Sequence, residues 1–259
     1  MKMDVVLLAG GIMPEEDPLY PESEDGHRCM IDIQGKPMAQ WVVDALSASE
    51  RVGEFYIMGL PSKYALKAAK PIHYLREEGG IFENVCAGVQ QASRDHPDQS
   101  KFLIASADIP ALRTEMVDWL IDQVRADPTA QLYYNVVSQP VMEACFPMSN
   151  RSFVRLKDVS VCGGDLNVVD MSLFSSEQAL WRQLVAARKN ALKQAGMLGI
   201  ITLLLVGCHV ITLEAAVHRV CRKLSIDARA LLTPFAEMAM DADKPHQLEI
   251  LRNHLAVQL

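Results

Sequence analysis

Two glycines and a lysine near the amino terminus are the residues whose spacing first points to chemistry. Gly10 and Gly11 end an apolar run that begins at Met3, and Lys36 follows Gly35 after a long polar loop. The apolar run predicts a buried strand, and the glycines let bare backbone approach a ligand closely. Backbone N–H groups in a glycine turn bind anions, and a lysine beside a helix start adds a mobile positive charge. The pattern therefore predicts a phosphate-binding loop.

Carboxylates at two later points in the chain would complete such a site with a metal ion. Asp108 follows an apolar run, and Asp241 and Asp243 stand just before Pro245. Mg²⁺ is typically held by one or two carboxylates together with waters and substrate phosphates. We expect Asp108 to be one ligand and Asp243 the other, with Asp241 as the competing choice for the second. A turn or helix-capping role is the alternative for each of them.

These segments together resemble the MobA-like and sugar-nucleotide pyrophosphorylase superfamily of nucleotidyltransferases. Its signature pairs a Leu-Ala-Gly-Gly loop, here Leu8 to Gly11, with a Gly-Lys-Pro-Met segment, here Gly35 to Met38. Glu78 to Val89 is similar to the second nucleotide-contacting segment, and Ile104 to Pro110 to the strand end that carries a metal aspartate. Met240 to Leu248 resembles the closing Asp-x-Asp-x-Pro-x-x-Leu element, so the resemblance covers most of the chain.

The resemblance implies both a fold and a reaction. The expected fold class is α/β, a GT-A-like (Rossmann-like) three-layer α/β/α arrangement around a mostly parallel mixed sheet. The expected reaction is Mg²⁺-dependent transfer of a nucleoside monophosphate from an NTP to a small phosphorylated acceptor, with release of pyrophosphate. The acceptor would be a sugar phosphate, a polyol phosphate or a molybdopterin-like compound, and the sequence does not select the base.

The resemblance also implies roles for individual residues. Arg28, Lys36 and Asp108 would be catalytic, and Arg28 stands where many relatives carry a lysine. Arginine keeps the positive charge, but its planar fork is not geometrically equivalent to a lysine amine. The nucleotide would contact two glycine-rich segments and one amide, namely Leu8, Ala9, Gly10, Gly11, Gly79, Gly80 and Asn84. The acceptor would lie beside Gly163, Gly164 and Asp165.

Residues in the second half of the chain leave alternatives open. Gly163 to Asp165 would serve equally well as a turn between two strands. Arg155 and Lys157 are further candidates for contact with an acceptor phosphate. The pair Arg188 and Lys189 is another, although a solvated helix face explains that pair better.

Composition limits the class of protein. At 259 residues the chain is long enough for one domain with a full core, and we expect a single unit over residues 1–259. Residues 1–130 would form its nucleotide-binding half, and residues 131–259 its acceptor-binding half with a helical insertion at about 174–222. A net charge of −7 argues against nucleic-acid binding, which relies on clustered Lys and Arg. An anionic nucleotide would therefore need a bridging cation and a few local basic groups.

The rhythm of apolar runs predicts alternating strands and helices in the first half. Predicted strands are Asp4 to Leu8, Glu54 to Met58, Ile72 to Tyr74 and Lys101 to Ala105; predicted helices are Pro37 to Ser47, Glu83 to Ala92 and Thr114 to Arg125, with Thr114 as a cap. The second half adds strands at Gln131 to Val137, Arg151 to Leu156 and Leu166 to Val169, and a helix at Ser175 to Lys193. The polar stretch Pro14 to His27 is either a lid over the nucleotide or a plain surface loop.

Two features bear on location. The six cysteines show neither a C-x-x-C pair nor zinc spacing, so we expect reduced thiols. The start of the chain lacks a signal-peptide pattern, so we expect a cytoplasmic protein. We expect it to be a monomer or a homodimer. The apolar segment Met197 to Leu213 approaches the length of a membrane span. Its breaks at Gly199 and at Gly207 to His209 instead predict two helices buried in protein, the second capped by Thr212.

Two rival functions remain at this stage. One is a catalytically weak, nucleotide-binding regulatory protein of the same fold. Arg28 and the long polar loop support this alternative. The other is a glycosyltransferase of the GT-A fold that uses a preformed nucleotide-sugar. Asp108 lies in Ala-Asp-Ile-Pro, whereas those enzymes usually carry Asp-x-Asp at that strand end, which disfavours the second rival.

Overall fold

Strands and helices alternate through the first half of the chain, as the apolar pattern predicts. The computed structural model describes residues 2–174 and 200–257, so the predicted helix Ser175 to Lys193 lies outside the described residues. The strands are β1 (Met3–Leu8), β2 (Asp32–Ile33), β3 (Lys36–Pro37), β4 (Val52–Met58), β5 (Ile72–Leu75), β6 (Lys101–Ser106), β7 (Leu132–Ser138), β8 (Val154–Arg155), β9 (Ser160–Gly163), β10 (Leu166–Asp170) and β11 (Ala228–Thr233). The α-helices are α1 (Met38–Ala48), α2 (Ile81–Asp95), α3 (Thr114–Ala126), α4 (Gln139–Cys145), α5 (Ile200–Gly207), α6 (Leu213–Leu224) and α7 (Pro245–Ala256).

One mixed sheet runs through both halves of the chain. Its order is β5–β4–β1–β6–β10–β7–β9–β8, and β11 pairs with β7. Strands β5, β4, β1 and β6 pair in parallel, as βαβ connections require, whereas β9 and β10 run antiparallel to their neighbours. Because β10 lies between β6 and β7, the second half of the chain extends the sheet of the first. The predicted α/β class with a mostly parallel mixed sheet is confirmed.

Helices cover both faces of the sheet and complete three layers. Val5 and Leu7 of β1 pack in one core cluster with α1 and α3, while Val6 packs in another with α2. This division follows from the alternation of side chains along a strand. A Cβ added to Gly88 of α2 would lie 2.5 Å from a methyl carbon of Val6, so the glycine lets this helix pack closely on the sheet.

Two local predictions were wrong. Thr114 does not cap α3, because its hydroxyl donates to the carbonyl of Ala45 at 3.0 Å and Arg113 occupies the cap position. The predicted strand at 151–156 is paired only over β8. The residues just before β8 lie away from the sheet for two reasons. Asn150 has left-handed backbone with a φ of 52°, and Arg151 forms an ion pair with Asp241.

The apolar segment near residue 200 contains the predicted break at Gly207, while the predicted break at Gly199 lies outside the described residues. The expected burial of both helices was wrong, because Leu204 is 61% exposed and Leu224 is the only buried residue of Leu213–Leu224. Helix α5 ends at Gly207, and the hydroxyl of Thr212 accepts a hydrogen bond from the N–H of Ala215 at 3.3 Å, capping α6. Helix α6 packs against β11. Within residues 2–174 and 200–257, no helix combines the length and apolar character needed to cross a membrane.

Candidate active site

A cleft of about 1010 Å³ opens at the carboxyl ends of β1 and β6. Ligands of open α/β sheets bind at this edge, because the loops that follow parallel strands meet there. The cleft is lined by almost all the residues predicted to contact nucleotide or catalyse its transfer, namely Leu8, Ala9, Gly10, Gly11, Arg28, Gly79, Gly80, Asn84 and Asp108. Folding thus brings together segments that are up to a hundred residues apart in the chain.

The glycine loop after β1 is held by backbone contacts with the end of β4. The N–H of Ala9 donates to the carbonyl of Met58 at 3.0 Å. A Cβ on Gly10 would lie only 3.2 Å from the Cα of Gly59, while Gly11 adopts a φ of +89° with open space beside it. The first glycine therefore permits close packing of two loops, and the second turns the backbone along the cleft.

The amino end of α2 forms a second wall of the cleft. Gly79 has a φ of +112°, and Gly80 precedes the first turn of the helix. Asn84 is buried, and its side-chain oxygen accepts a hydrogen bond from the N–H of Glu78 at 2.7 Å, which fixes this segment. The positive end of the helix dipole faces the cleft and favours a negatively charged ligand.

Three carboxylates converge at the edge of the cleft. Asp108, Asp241 and Asp243 each offer one oxygen, and these oxygens all lie within 4.8 Å of one another. The closing segment is fixed to the end of β6 by a hydrogen bond from the N–H of Ala242 to the carbonyl of Asp108, at 3.2 Å. Clustered carboxylate oxygens fit Mg²⁺, which prefers hard oxygen ligands. The structure brings both Asp241 and Asp243 to Asp108 and does not choose between them.

Each of these carboxylates has a polar partner. The hydroxyl of Ser106 donates to Asp108 at 2.5 Å, Arg28 pairs with Asp243, and Arg151 pairs with Asp241. Burial raises the pKa of Asp108, and the negative charge of Asp243 raises it further, while the Ser106 hydrogen bond opposes the shift. A cation at this point would relieve the same repulsion that raises this pKa.

Arg28 links the carboxylates to the polar loop Pro14 to His27. One guanidinium nitrogen contacts Asp243, and the other donates to Asp17 at 2.9 Å. Asp17 also accepts a hydrogen bond from the N–H of Leu19 at 2.9 Å, and Leu19 is fully buried. This part of the loop is therefore packed into the protein as a wall of the cleft, to which Pro14 and Asp17 contribute.

Lys36 lies outside the residues that line the cleft. The hairpin of β2 and β3 directs its amine to Asp44, 2.6 Å away, and over the ring of Trp41, 4.1 Å from the centroid. The predicted phosphate contact of Lys36 stays a prediction that this arrangement does not favour.

The predicted acceptor residues also lie outside the lining of the cleft. The space beside Gly163 is taken by the hydroxyl of Tyr134, and a Cβ on Gly164 would lie 3.1 Å from the side chain of Asn135. The N–H of Asp165 donates to the carbonyl of Met238 at 2.8 Å. In this conformation other side chains of the protein occupy the space beside the two glycines, and their acceptor role stays a prediction.

Sequence reasoning missed three residues of the site. Ser106 stands two residues before Asp108 on the same strand end, so its position was available from the sequence. Asp17 lies in a loop with several acidic residues, and nothing in the sequence sets it apart from them. Arg151 became visible as the partner of Asp241 only through tertiary contact.

Comparison with known proteins gives one family match and several structural ones. Residues 18–196, more than half of the chain, match the MobA-like NTP transferase domain. A hypothetical transferase from Thermus thermophilus is 31% identical, with a TM-score of 0.81 over 96% of this chain and 100% of that one. No curated protein sequence gives a significant match.

Two more distant structures share the fold. CMP:2-keto-3-deoxy-manno-octonic acid synthetase complexed with CTP is 15% identical, with a TM-score of 0.63 over 100% of both chains. The 4-diphosphocytidyl-2C-methyl-D-erythritol synthase from Anaerococcus prevotii is 9% identical, with a TM-score of 0.59 over 100% of this chain and 96% of that one. With the glycine loop, the carboxylate cluster and the family match in agreement, the chain belongs to the MobA-like NTP transferase domain family.

Proposed function

We propose that this protein transfers a nucleoside monophosphate from an NTP to a small phosphorylated acceptor, using Mg²⁺ and releasing pyrophosphate. The observation that carries the proposal is the convergence of three carboxylate oxygens within 4.8 Å at the edge of a glycine-walled cleft. The fold that this chain shares with a synthetase complexed with CTP supports a nucleoside triphosphate as the donor.

The reaction is an in-line displacement at phosphorus. An oxygen of the acceptor phosphate attacks the α-phosphorus, the bond from that phosphorus to the bridging oxygen breaks, and pyrophosphate leaves with the electron pair. Catalysis of such a step consists mainly of positioning and charge neutralisation. Asp108 with Asp241 and Asp243 would hold Mg²⁺, which when bound neutralises phosphate charge.

The chain's own groups then have distinct tasks. Backbone N–H groups of Gly10 and Gly11 bind phosphate oxygens, and the amino end of α2 adds a favourable dipole. Arg28 neutralises charge on the triphosphate. Its guanidinium pairs with Asp17 and Asp243, and because a guanidinium carries five N–H donors, the remaining donors would contact a phosphate oxygen when the nucleotide binds.

A pyrophosphate-release assay tests the proposal. The four common NTPs would each be combined with sugar phosphates, polyol phosphates and molybdopterin, with and without Mg²⁺. Release that depends on both acceptor and Mg²⁺ supports the transferase. Binding of NTP without release under any condition would favour the regulatory alternative, and turnover of a nucleotide-sugar alone would favour the glycosyltransferase.

The first prediction concerns Asp108. Asp108→Asn keeps the side-chain shape but removes the charge that a cation needs, so Mg²⁺-dependent release should fall by at least about 100-fold. The matched control is Asp98→Asn, at an exposed aspartate beyond α2 and outside the cleft lining, which should leave the rate unchanged. Near wild-type release by Asp108→Asn, with its thermal unfolding unaltered, would contradict the assignment.

A further inference from the structure

A second cavity, of about 510 Å³, lies between α4 and the segment that leads into β8. Its lining includes Glu143, Ser149, Arg151, Phe153 and Arg155. We propose that this cavity binds the phosphate monoester group of the acceptor, an inference that rests on the proposed nucleotidyl transfer. Three observations support it: the contact of the cavity with the carboxylate cluster, the charge of its lining, and the rigidity of the link between the two sites.

Arg151 forms the common wall of the cavity and the carboxylate cluster. Its guanidinium pairs with Asp241, and the two side chains are only 15% and 14% exposed. A guanidinium carries five N–H donors in a fixed fork, so a pair with one carboxylate leaves donors for a second anion. An anion bound to Arg151 from the cavity side would therefore lie one side chain away from the carboxylates.

Arg155 adds a second guanidinium to the lining of the cavity. Its side chain is exposed, and within residues 2–174 and 200–257 the guanidinium forms no ion pair. The carboxylate of Glu143 also lines the cavity, and it accepts a hydrogen bond from Gln139 at 2.6 Å. Because Arg151 is paired with Asp241, Arg155 is the arginine of the lining that has no described ion pair, and Glu143 is the acidic group that shares the lining with it. Arginine is the side chain best suited to bidentate contact with phosphate.

A second connection fixes the cavity relative to the carboxylates. The side chain of Gln247 accepts from the N–H of Asp243 at 3.2 Å and donates to the carbonyl of Ser149 at 3.1 Å. Gln247 and Ser149 are both buried, so solvent competes little for these bonds. The floor of the cavity and the carboxylate cluster are thereby held as one unit.

The reaction itself calls for two separate sites. Attack on the α-phosphorus requires acceptor and leaving group on opposite sides of that atom. The cleft reaches the carboxylate cluster at Asp108, and the second cavity reaches it through Arg151 at Asp241, so the triphosphate and the acceptor phosphate would meet the cluster at different residues. The arginine-lined cavity thus supplies an acceptor site separate from Gly163 to Asp165.

The test measures the binding of inorganic phosphate, used as the probe, to the full chain by isothermal titration calorimetry. Arg155→Gln removes the charge and retains most of the length of the side chain. Phosphate affinity should fall about 10-fold or more, the loss typical of one charged hydrogen bond, while Arg155→Lys should retain part of it. The control is Arg222→Gln, at an exposed arginine of α6 that lines neither cavity, which should bind phosphate like the wild type.

Titration of the same variants with NTP and Mg²⁺ separates this inference from the proposed function. The acceptor site is supported if Arg155→Gln binds phosphate more weakly than the wild type does but binds NTP with the same affinity. Phosphate affinity that is equal in wild type and Arg155→Gln overturns it, as does the absence of phosphate binding by the wild type at millimolar concentration. An equal loss of NTP affinity would also overturn it, since the arginine would then serve the triphosphate. Failure of the proposed function would instead appear as wild-type protein that binds inorganic phosphate but releases no pyrophosphate from any NTP and acceptor in the presence of Mg²⁺.

Discussion

Arg28 shows how one residue joins two parts of the site. Its guanidinium bridges Asp17 of the polar loop and Asp243 of the closing segment, two residues that are far apart in the chain. A lysine amine has no planar fork and would not reproduce this two-sided geometry. The arginine at this position therefore does more than preserve a charge, because it also fixes the polar loop to the metal side of the cleft.

The second prediction follows at the scale of this residue. Arg28→Ala should weaken NTP binding by about 1.5–3 kcal/mol, the value of a charged hydrogen bond. Arg28→Lys keeps the charge and should lose less NTP affinity than Arg28→Ala, although it gives up the two-sided contact with Asp17 and Asp243. The measurement is an NTP titration in the presence of Mg²⁺. Equal affinity of Arg28→Ala and wild type would show that the side chain does not contact the nucleotide.

At the scale of elements, the cleft depends on the close approach of the loops after β1 and β4. Gly59 has a φ of +80°, and a Cβ there would lie 2.5 Å from the Cα of Gly10. Backbone cannot yield as a flexible side chain does, so a methyl group at Gly59 would push the glycine loop into the cleft. Gly35, in the turn between β2 and β3, shares the positive φ at 78° but has open space around it.

This pair of glycines gives the third prediction. Gly35→Ala should cost about 1–2 kcal/mol, the strain of a left-handed alanine, and leave NTP binding unchanged. Gly59→Ala has the same strain and a backbone clash besides. It should therefore lower the unfolding temperature further than Gly35→Ala does and weaken NTP binding. Thermal unfolding and NTP titration of both variants check this, and identical behaviour of the two would contradict the packing argument.

At the scale of the whole molecule, the two ends of the sheet carry different tasks. The carboxyl ends of the parallel strands bear the cleft, while the amino end of β1 bears a polar cluster. There Asp4 is buried, accepts from the N–H of Glu54 at 2.7 Å and contacts a ring nitrogen of His96 at 2.7 Å. The negative charges of Asp4, Glu54 and Asp95 all raise the pKa of that imidazole, and Glu54 also pairs with His73 at 2.7 Å.

The fourth prediction concerns the pH dependence of stability. The hydrogen bond with Asp4 raises the pKa of His96, so the protonated imidazole stabilises the folded state. This contribution is fully present below the pKa of the unfolded chain and is lost as the pH rises through the folded pKa. His96→Gln should therefore cost more stability at about pH 5.5 than at about pH 9.

Urea unfolding of the wild type, His96→Gln and the exposed control His218→Gln at both pH values measures this difference. For the control, the difference from wild type in the free energy of unfolding should be the same at both pH values. A constant gap for His96→Gln would mean that the histidine contributes by packing alone. NTP affinity should be the same in all three proteins, because His96 does not line the cleft.

The sequence by itself determined the α/β class, most strand and helix positions, and the segments that form the cleft. The apolar runs, Gly10, Gly11, Asp108 and the break at Gly207 are local signals, because they depend on backbone freedom and on the alternation of side chains. Such signals survive without knowledge of distant contacts.

Tertiary structure alone decided which polar side chains pair with one another within the site. Arg28 pairs with Asp17 of the polar loop and with Asp243 near the far end of the chain, and Lys36 turns to Asp44 because a hairpin precedes α1. Arg151 contacts Asp241 only after the second half of the chain has folded along the edge of the cleft. An ion pair between distant segments depends on the register of the whole sheet, and residue type and local spacing do not specify that register.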